Sequence, residues 1–571
     1  MLDRRQVLRG SVTAGGGLAL GGWFPAWAQS STIGALPEVL GEDIHLRIAH
    51  QMLRVDGRES HAIGINGTVP GPLLRLREGQ KLRIHVENAL DEDSSIHWHG
   101  LLLPFQMDGV PGISFPGIAP RSTFTYEFPV VQAGTYWYHS HSGLQEQVGL
   151  FGPILIEPRD SDSVRFDREH VVMLSDHSPL HPHAIFRKLK QQPGYFNRQK
   201  QTLASLAGGR DQTAKERLDW GGMRMDPTDI SDVTGSTYTY LVNGHGPKDN
   251  WTALFRPGER VRLRIINASA MTIFNVRIPG LKLTIVAADG MNVRPVEVDE
   301  FQITVAETYD VIVEPEDRAY TLVSEAVDRS GMGRATLAPR AGMAAEVPAL
   351  RARPIATMKD MGMDMSGMDH GGMAMGDMRG MDHGTMSMKM RDPANAPQVV
   401  LGPGVQTIAP MPADRTGEPG QGLADVGHRV LVYRDLVALE RNPDVRAPGR
   451  EMEIHLTGNM ERFMWAFDGV KFSDAKVPLA FEAGERVRVT LINDTMMAHP
   501  IHLHGHFFEL VTGHGDHAPR KHTVNVAPGG KVSWDVTAEP GDWAFHCHLL
   551  YHMHAGMMQT VQVRPLAGDA A

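Results

Sequence analysis

Leu82, Ile84 and Val86 alternate with charged or polar residues in the stretch EGQKLRIHVENAL, which starts at Glu78. The alternation returns as Val261, Leu263 and Ile265 in PGERVRLRIINAS from Pro257, and as Val487, Val489 and Leu491 in AGERVRVTLINDT from Ala483. A period of two predicts half-buried β-strands, with one apolar face on a core and one polar face in solvent. Each copy opens on a Gly turn and closes on an asparagine: Asn88, Asn267 and Asn493. Three such copies predict an all-β chain of three similar Greek-key β-sandwich domains. Between Arg159 and Tyr238 lies extra sequence. AIFRKLKQQPGYFNRQKQTLASLAGGRDQTAKERLDW has partly helical spacing and reads as an insertion in the middle domain.

The pattern places the domains at residues 42–160, 161–345 and 396–566, with a methionine-rich linker over 346–395. Ahead of them, Arg4-Arg5 precedes a weakly apolar, Gly-rich stretch from Gly10 to Phe24, and Ala26-Trp27-Ala28 fits an A-x-A cleavage site. This is the pattern of a twin-arginine signal peptide over residues 1–28, which predicts export to the periplasm. The stretch is too short and too rich in glycine to span a bilayer, and no later stretch is apolar enough. A net charge of −10 argues against nucleic acid as a partner. Glycine (60) and proline (37) are plentiful, as many short strands joined by turns require. A monomer is the default expectation.

Counting forward from each asparagine separates the copies. Positions +9 and +11 are His97 and His99 in the first and His502 and His504 in the third, but Val276 and Ile278 in the second. A second block repeats this: GTYWYHSH gives His139 and His141, GDWAFHCH gives His546 and His548, and the middle EDRAYTLVSE has no histidine. In a strand, residues i and i+2 project from one face, so each pair aims two imidazoles at one place. Exposed histidines are common singly. Four matched pairs, present in the outer copies and absent from the middle one, point to metal. Imidazole alone suits copper, zinc, iron and nickel.

Cys547 narrows the choice. It is the single cysteine of the chain, so it forms no internal disulfide. It lies between His546 and His548, and its sulfur projects away from their site. His552 follows at +5, Met557 at +10, and His499 begins HPIHLHGH upstream. A thiolate, two histidines and a weak axial methionine make a blue-copper site. Spacing favours Met557 over the adjacent Met558. One strand then links two metal sites over a distance on the order of 10 Å, the spacing of packed sheets.

These residues resemble the multicopper oxidases, which include laccases and ascorbate oxidase. HWHG, HSH, HPIHLHGH and HCH-x3-H-x4-M match that family's four copper motifs, and the resemblance runs from about Glu42 to Pro565. It implies cupredoxin domains and four copper ions. Type 1 copper would sit in the third domain on His499, Cys547, His552 and Met557. Type 2 would sit on His97 and His502. The type 3 pair would sit on His99, His139, His141, His504, His546 and His548, between the first and third domains. One-electron oxidations at type 1 copper would feed reduction of O2 to water, with electrons leaving Cys547 through His546 or His548. Asp108 in QMDGVPG resembles the family's acidic residue near the cluster; capping a turn before Gly109 is its other reading. Several bacterial relatives carry glutamates near the last type 1 histidine, where this chain has Tyr551 and Met553.

The segment from Met358 to Met390 holds 12 methionines among Gly and Asp, without apolar periodicity, and predicts a mobile segment and not a core. Its thioethers are Met358, Met361, Met363, Met365, Met368 and Met373, then Met375, Met378, Met381, Met386, Met388 and Met390. Thioethers select Cu(I), and His370 and His383 bind either copper state. Met223, Met225, Met460 and Met464 are candidate extensions of a Cu(I) path. With the signal peptide and HWHGLLLPFQMDGVPGISFPGIAP, the chain resembles the periplasmic copper-resistance multicopper oxidases. That implies oxidation of Cu(I) to Cu(II), with extra Cu(I) on the segment. A laccase-like phenol oxidase and a copper-sequestering protein are the alternatives.

Overall fold

A computed structural model of the chain describes residues 36–363 and 390–565. The N-terminal stretch read as a signal peptide lies outside the described residues, as do Met365 to Met388 with His370 and His383. The described residues form six β-sheets that pair off along the chain. Each repeat contributes its alternating strand to one sheet and its histidine positions, filled or blank, to the other.

The histidine-bearing sheets share one plan. In the first, Phe151–Glu157, Gly134–His139 and His97–His99 are neighbours. In the middle, Met332–Ala338, Tyr320–Ala326 and Phe274–Arg277 take those places; in the last, Met558–Arg564, Gly541–Cys547 and His499–Leu503 do. The middle sheet therefore repeats the scaffold without its decoration. Val276, at the position of His97 and His502, pairs with Phe301 and Ser324 instead.

The asparagines that close the repeats hold this scaffold together. Asn88 donates its amide to the Glu92, Ile118 and Ala119 carbonyls and accepts from the Leu90 N–H at 3.0 Å. Asn267 donates to the Thr272 and Ile303 carbonyls and accepts from Ser269 N–H at 3.1 Å. Asn493 donates to Met497 and Val526 and accepts from Thr495 N–H at 2.9 Å. All three are buried. A buried loop must pair its backbone groups, and one amide side chain pairs several at once.

Alternation predicts half-buried strands, and Lys81–Asn88 follows it, with polar residues outward. The middle strand, Val261–Asn267, is instead buried on both faces. Its charged face is covered by the first unit. Arg262 and Arg264 share Asp310, at 2.6 and 2.9 Å, and Asp310 accepts from Thr135 of the first unit at 2.8 Å. Arg264 also reaches Glu169 at 2.8 Å. The contact is close: a Cβ at Gly134, whose φ is +138, would stand 2.4 Å from the Gly290 carbonyl oxygen. Gly is needed there for approach as well as for conformation.

The extra sequence is shorter than the break in pattern indicates. Arg168–His177, inside the stretch read as insertion, is a central strand paired in parallel with Val261–Asn267. The helices follow it, at Pro182–Gln191, Leu203–Ala207 and Ala214–Gly222. Thr202 and Thr213 cap the latter two with reciprocal bonds to Ser205 and Glu216. Among the described residues no helix is long and apolar enough to cross a membrane.

Asn267→Ala tests the scaffold apart from any metal site. It leaves buried carbonyls unpaired and is expected to cost about 2–4 kcal/mol, read as a lower urea midpoint with the metal-dependent absorption unchanged.

Candidate metal centres

Strand pairing brings the histidines together. His97 faces His139 across one ladder and His502 faces His546 across another. Each H-x-H pair converges as alternation requires: ring centroids lie 5.5 Å apart for His97 and His99, 5.3 Å for His139 and His141, 4.7 Å for His502 and His504, and 5.2 Å for His546 and His548. The histidines of the two sheets then meet, although about four hundred residues separate their motifs in the chain. His99 stacks on His502 at 3.9 Å, and His97 lies 3.9 Å from His504.

The cluster offers overlapping groupings of nitrogens within 4.8 Å, among them His97, His99 and His139, then His97, His502 and His504, and also His99, His502 and His522. His141, His504 and His546 place a nitrogen each within 4.8 Å of one another. His99, His139 and His548 form a second triangle, with centroid separations of 5.6, 5.0 and 5.0 Å. His97 and His502 lie 5.8 Å apart beside both.

Seven of these eight residues are fully buried, and His141 is mostly so. His97 Nε2, His99 Nδ1, His139 Nε2, His141 Nε2, His502 Nε2 and His548 Nε2 are buried without any hydrogen-bond partner. Leaving a buried polar atom unpaired costs about 1–3 kcal/mol, so six in one place fit a bound cation and little else. The opposite nitrogens are tied down: His97 Nδ1 donates to the Asp108 carbonyl at 2.7 Å, His502 Nδ1 to the His522 carbonyl at 2.7 Å, and His546 Nδ1 to the Cys547 carbonyl at 3.0 Å. Such bonds fix which nitrogen is free for a metal.

Cys547, His499 and His552 form a second centre on the other face of the Gly541–Cys547 strand. Cys547 Sγ lies 3.6 Å from His499 Nδ1 and 3.9 Å from His552 Nδ1, and the two nitrogens are 3.2 Å apart. Met557 is wholly buried in the same core, and its carbonyl accepts the Cys547 N–H at 3.1 Å. Burial pushes the Cys547 thiol far above its ordinary range, so a thiolate forms here only against a cation. The outer nitrogens are anchored too. His552 Nε2 contacts Asp232 Oδ2 at 2.7 Å and His499 Nε2 contacts Thr495 Oγ1 at 2.8 Å. Trp465 stacks on His552 at 3.9 Å.

Asp108 does more than cap its turn. It is fully buried; its Oδ2 accepts from His504 Nδ1 at 2.8 Å, and Oδ1 lies 3.3 Å from His97 Nδ1. It thus bridges the first and third units at the cluster. Gly109 makes this approach feasible, since a Cβ there would stand 1.8 Å from the Ile96 carbonyl oxygen.

Four residues of this region escape sequence patterning. His522 is buried with its Nδ1 3.2 Å from His99 Nε2. Asp289 of the middle unit accepts from the backbone N–H groups of His522 and Thr523 at 3.2 Å each, and pairs with buried Lys521 at 2.9 Å. The histidine-free middle unit therefore orients the loop that reaches the cluster. Glu146 lies 2.8 Å from His139 Nδ1, and burial raises its carboxyl well above the usual range. Asp232 is the fourth; burial lifts it to about 8 in the absence of metal. None lies in an H-x-H motif. The one signal available was that all four stand in or beside segments linking repeat strands.

The methionines divide. Met361 and Met496 are buried in one small cluster, with Met223, Met225, Met363, Met390 and Met460 packed against it. Met464 is not part of it. Met358 to Met361 form a short 3-10 turn, so the start of the segment read as mobile is ordered.

Multicopper oxidase family models match residues 47–161, 210–345 and 446–567, and the chain belongs to the multicopper oxidases. It is 48% identical to copper resistance protein A of Escherichia coli, over 98% of this chain and 99% of that protein. It is 49% identical to a copper resistance protein A homolog of Pseudomonas syringae pv. tomato over the same shares. Among solved structures it is similar to Fet3p, a multicopper oxidase that functions in iron import (TM-score 0.61, 19% identity, covering 92% and 90% of the two chains). The laccase from Botrytis aclada has TM-score 0.61 at 22% identity, covering 92% and 88%. The cupredoxin-type fold, the oxidoreductase class and the use of copper follow.

Without metal, acid should unfold this protein steeply. Burial holds His99, His139, His141, His499, His502, His504, His548 and His552 well below 6.5. The unfolded chain therefore binds more protons as pH drops through the ordinary histidine range, and stability falls with it. Each ring contributes about 1.4 kcal/mol per pH unit below that range. Urea unfolding of metal-free protein at about pH 7 and about pH 5 checks the slope.

Proposed function

We propose that the protein is a periplasmic copper-resistance oxidase that takes electrons from Cu(I) and delivers them to O2. His499, Cys547, His552 and Met557 hold the type 1 ion. His97 and His502 hold type 2. His141, His504 and His546 hold one type 3 ion and His99, His139 and His548 the other. When bound, these coppers accept electrons singly and reduce O2 to water in one four-electron turnover.

The chain's own residues do the rest. Cys547 carries electrons along one strand to His546 and His548, its immediate neighbours. Asp232 and Thr495 hold the two type 1 rings through Nε2, which leaves Nδ1 of each beside the Cys547 sulfur, where a metal would be held. Asp108 and Glu146 are buried carboxyl groups that hold His504 and His139 through their Nδ1–H, which leaves each Nε2 for the metal, and they are placed to pass protons toward the cluster. Close packing of the outer units excludes bulk water from partly reduced oxygen. Residues 1–28 direct export, the working unit is a monomer, and the domains fall at 42–160, 161–345 and 396–566.

The observation that carries the choice of Cu(I) is the methionine cluster. Met363 and Met390, the described residues on either side of the remaining thioethers, pack with Met223, Met225 and Met460 against a small buried cluster that joins Met361 and Met496 to Trp220, Ile230, Ile273, Val327 and Ala356. Met496 precedes the type 1 ligand His499 by three positions. Soft donors thus lead from the segment to the electron entry point. The relatives named copper resistance protein A support the same reading.

Deleting residues 364–389 is expected to lower the rate of O2 uptake with Cu(I) at least about tenfold and to leave uptake with a soluble phenol within about twofold. Equal loss of both would make the segment structural and favour a phenol oxidase. Asp108→Asn should keep the blue absorption and lower the O2-reduction rate by about 10²-fold or more, the usual scale for a lost general acid. Cys547→Ser should abolish blue colour and turnover together; copper tolerance surviving in cells would favour sequestration.

A further inference from the structure

The first unit carries a second collection of copper-seeking side chains, far from the cluster in sequence. Asp43–Val55 and Arg58–Ile65 form an antiparallel hairpin. One face of it starts as core, with Ile44, Leu46 and Ile48 wholly buried. Beyond the core the same face continues as His50 and Met52, and Met52 is paired in register with His61. Continuation of an apolar face into solvent normally calls for charged residues. Here it calls on two imidazoles and a thioether, and Met52 is 61% exposed.

The geometry is that of donors sharing one ion. His50 Nδ1 and His61 Nε2 lie 2.9 Å apart. Two nitrogens at about 2.0–2.1 Å from a small ion, at right angles, are separated by about 2.9 Å. The rings are 4.9 Å apart and tilted by 47°, so they meet at their edges and do not stack. A neutral hydrogen bond between exposed rings is worth about 1 kcal/mol or less and explains neither the thioether nor the further histidine beside it. That histidine, His181, lies within electrostatic reach of His61, whose pKa is lowered first by burial and then by His50 and His181. The His181 Nδ1 accepts the His183 N–H at 3.3 Å as the cap of the helix Pro182–Gln191, and its Nε2 points the other way across the ring. The next side chains on this face, Arg54 and Glu59, oppose each other and add no net charge.

We propose that His50 and His61, with Met52 beside them, form a Cu(II)-binding site on the surface of the first unit. Imidazole nitrogens joined by a thioether sulfur select copper over harder ions, and among divalent first-row metals Cu(II) binds nitrogen sites most tightly. His181 stacks on His183 at 5.4 Å. The proposal does not depend on the natural electron donor, since Cu(II) alone is the ligand.

The test uses copper-loaded full-length enzyme, freed of loosely held metal by EDTA and gel filtration, then titrated with Cu(II) chloride under electron paramagnetic resonance. Wild type should take up one more nitrogen-coordinated Cu(II) than the double variant His50→Gln, His61→Gln, or bind it at least about tenfold more tightly. Blue absorption and phenol-driven O2 uptake should be equal in the two. Equal number and affinity would overturn the proposal. A second measurement needs no variant: Cu(II) should protect His50 and His61 of wild type from diethyl pyrocarbonate, located by mass spectrometry. Protection of other histidines without these two would also overturn it.

Discussion

A β-strand shows alternate side chains to opposite faces, and the centre of this molecule depends on that constraint. His546 and His548 turn one way from their strand, and Cys547 turns the other. A shift of one residue in the ladder between Gly541–Cys547 and His499–Leu503 would exchange the faces and dismantle both centres at once. The register is held from both edges, by Met558–Arg564 on one side and Thr523–Val526 beyond the other. Communication between the two centres is therefore a property of strand pairing before it is a property of any ligand.

The repeats separate what builds the scaffold from what decorates it. Asn88, Asn267 and Asn493 do the same work in all three units, tying the backbone that follows their strands. The histidine pairs occur in two. The middle unit instead buries the charged face of Val261–Asn267 against the first unit and presents Asp289 to the loop bearing His522. It positions the outer two without lending a histidine to the cluster.

Much of this was legible in the sequence because it is local and periodic. Alternation reads out strands such as Lys81–Asn88, and H-x-H spacing reads out convergent imidazoles. What depended on contact between units was not legible. Arg262 and Arg264 sit at positions that alternation assigns to solvent, and Thr135 of the first unit, with Asp162 and Phe166 of the connecting segment and Glu169 of the neighbouring strand, covers them. His522, Glu146 and Asp232 reach the metal centres from links between strands, where no period marks them. Arg168–His177 was hidden by the helical sequence that follows it and by a pairing partner ninety or so residues away.

The cluster draws His97 and His139 from near the start of the chain and His504 and His546 from near its end. No partial chain presents the full set of donors. The full set of donors exists only where the last sandwich has closed on the first. A polypeptide truncated ahead of Gly541 would lack His546, Cys547 and His548, and with them donors to both candidate centres at once.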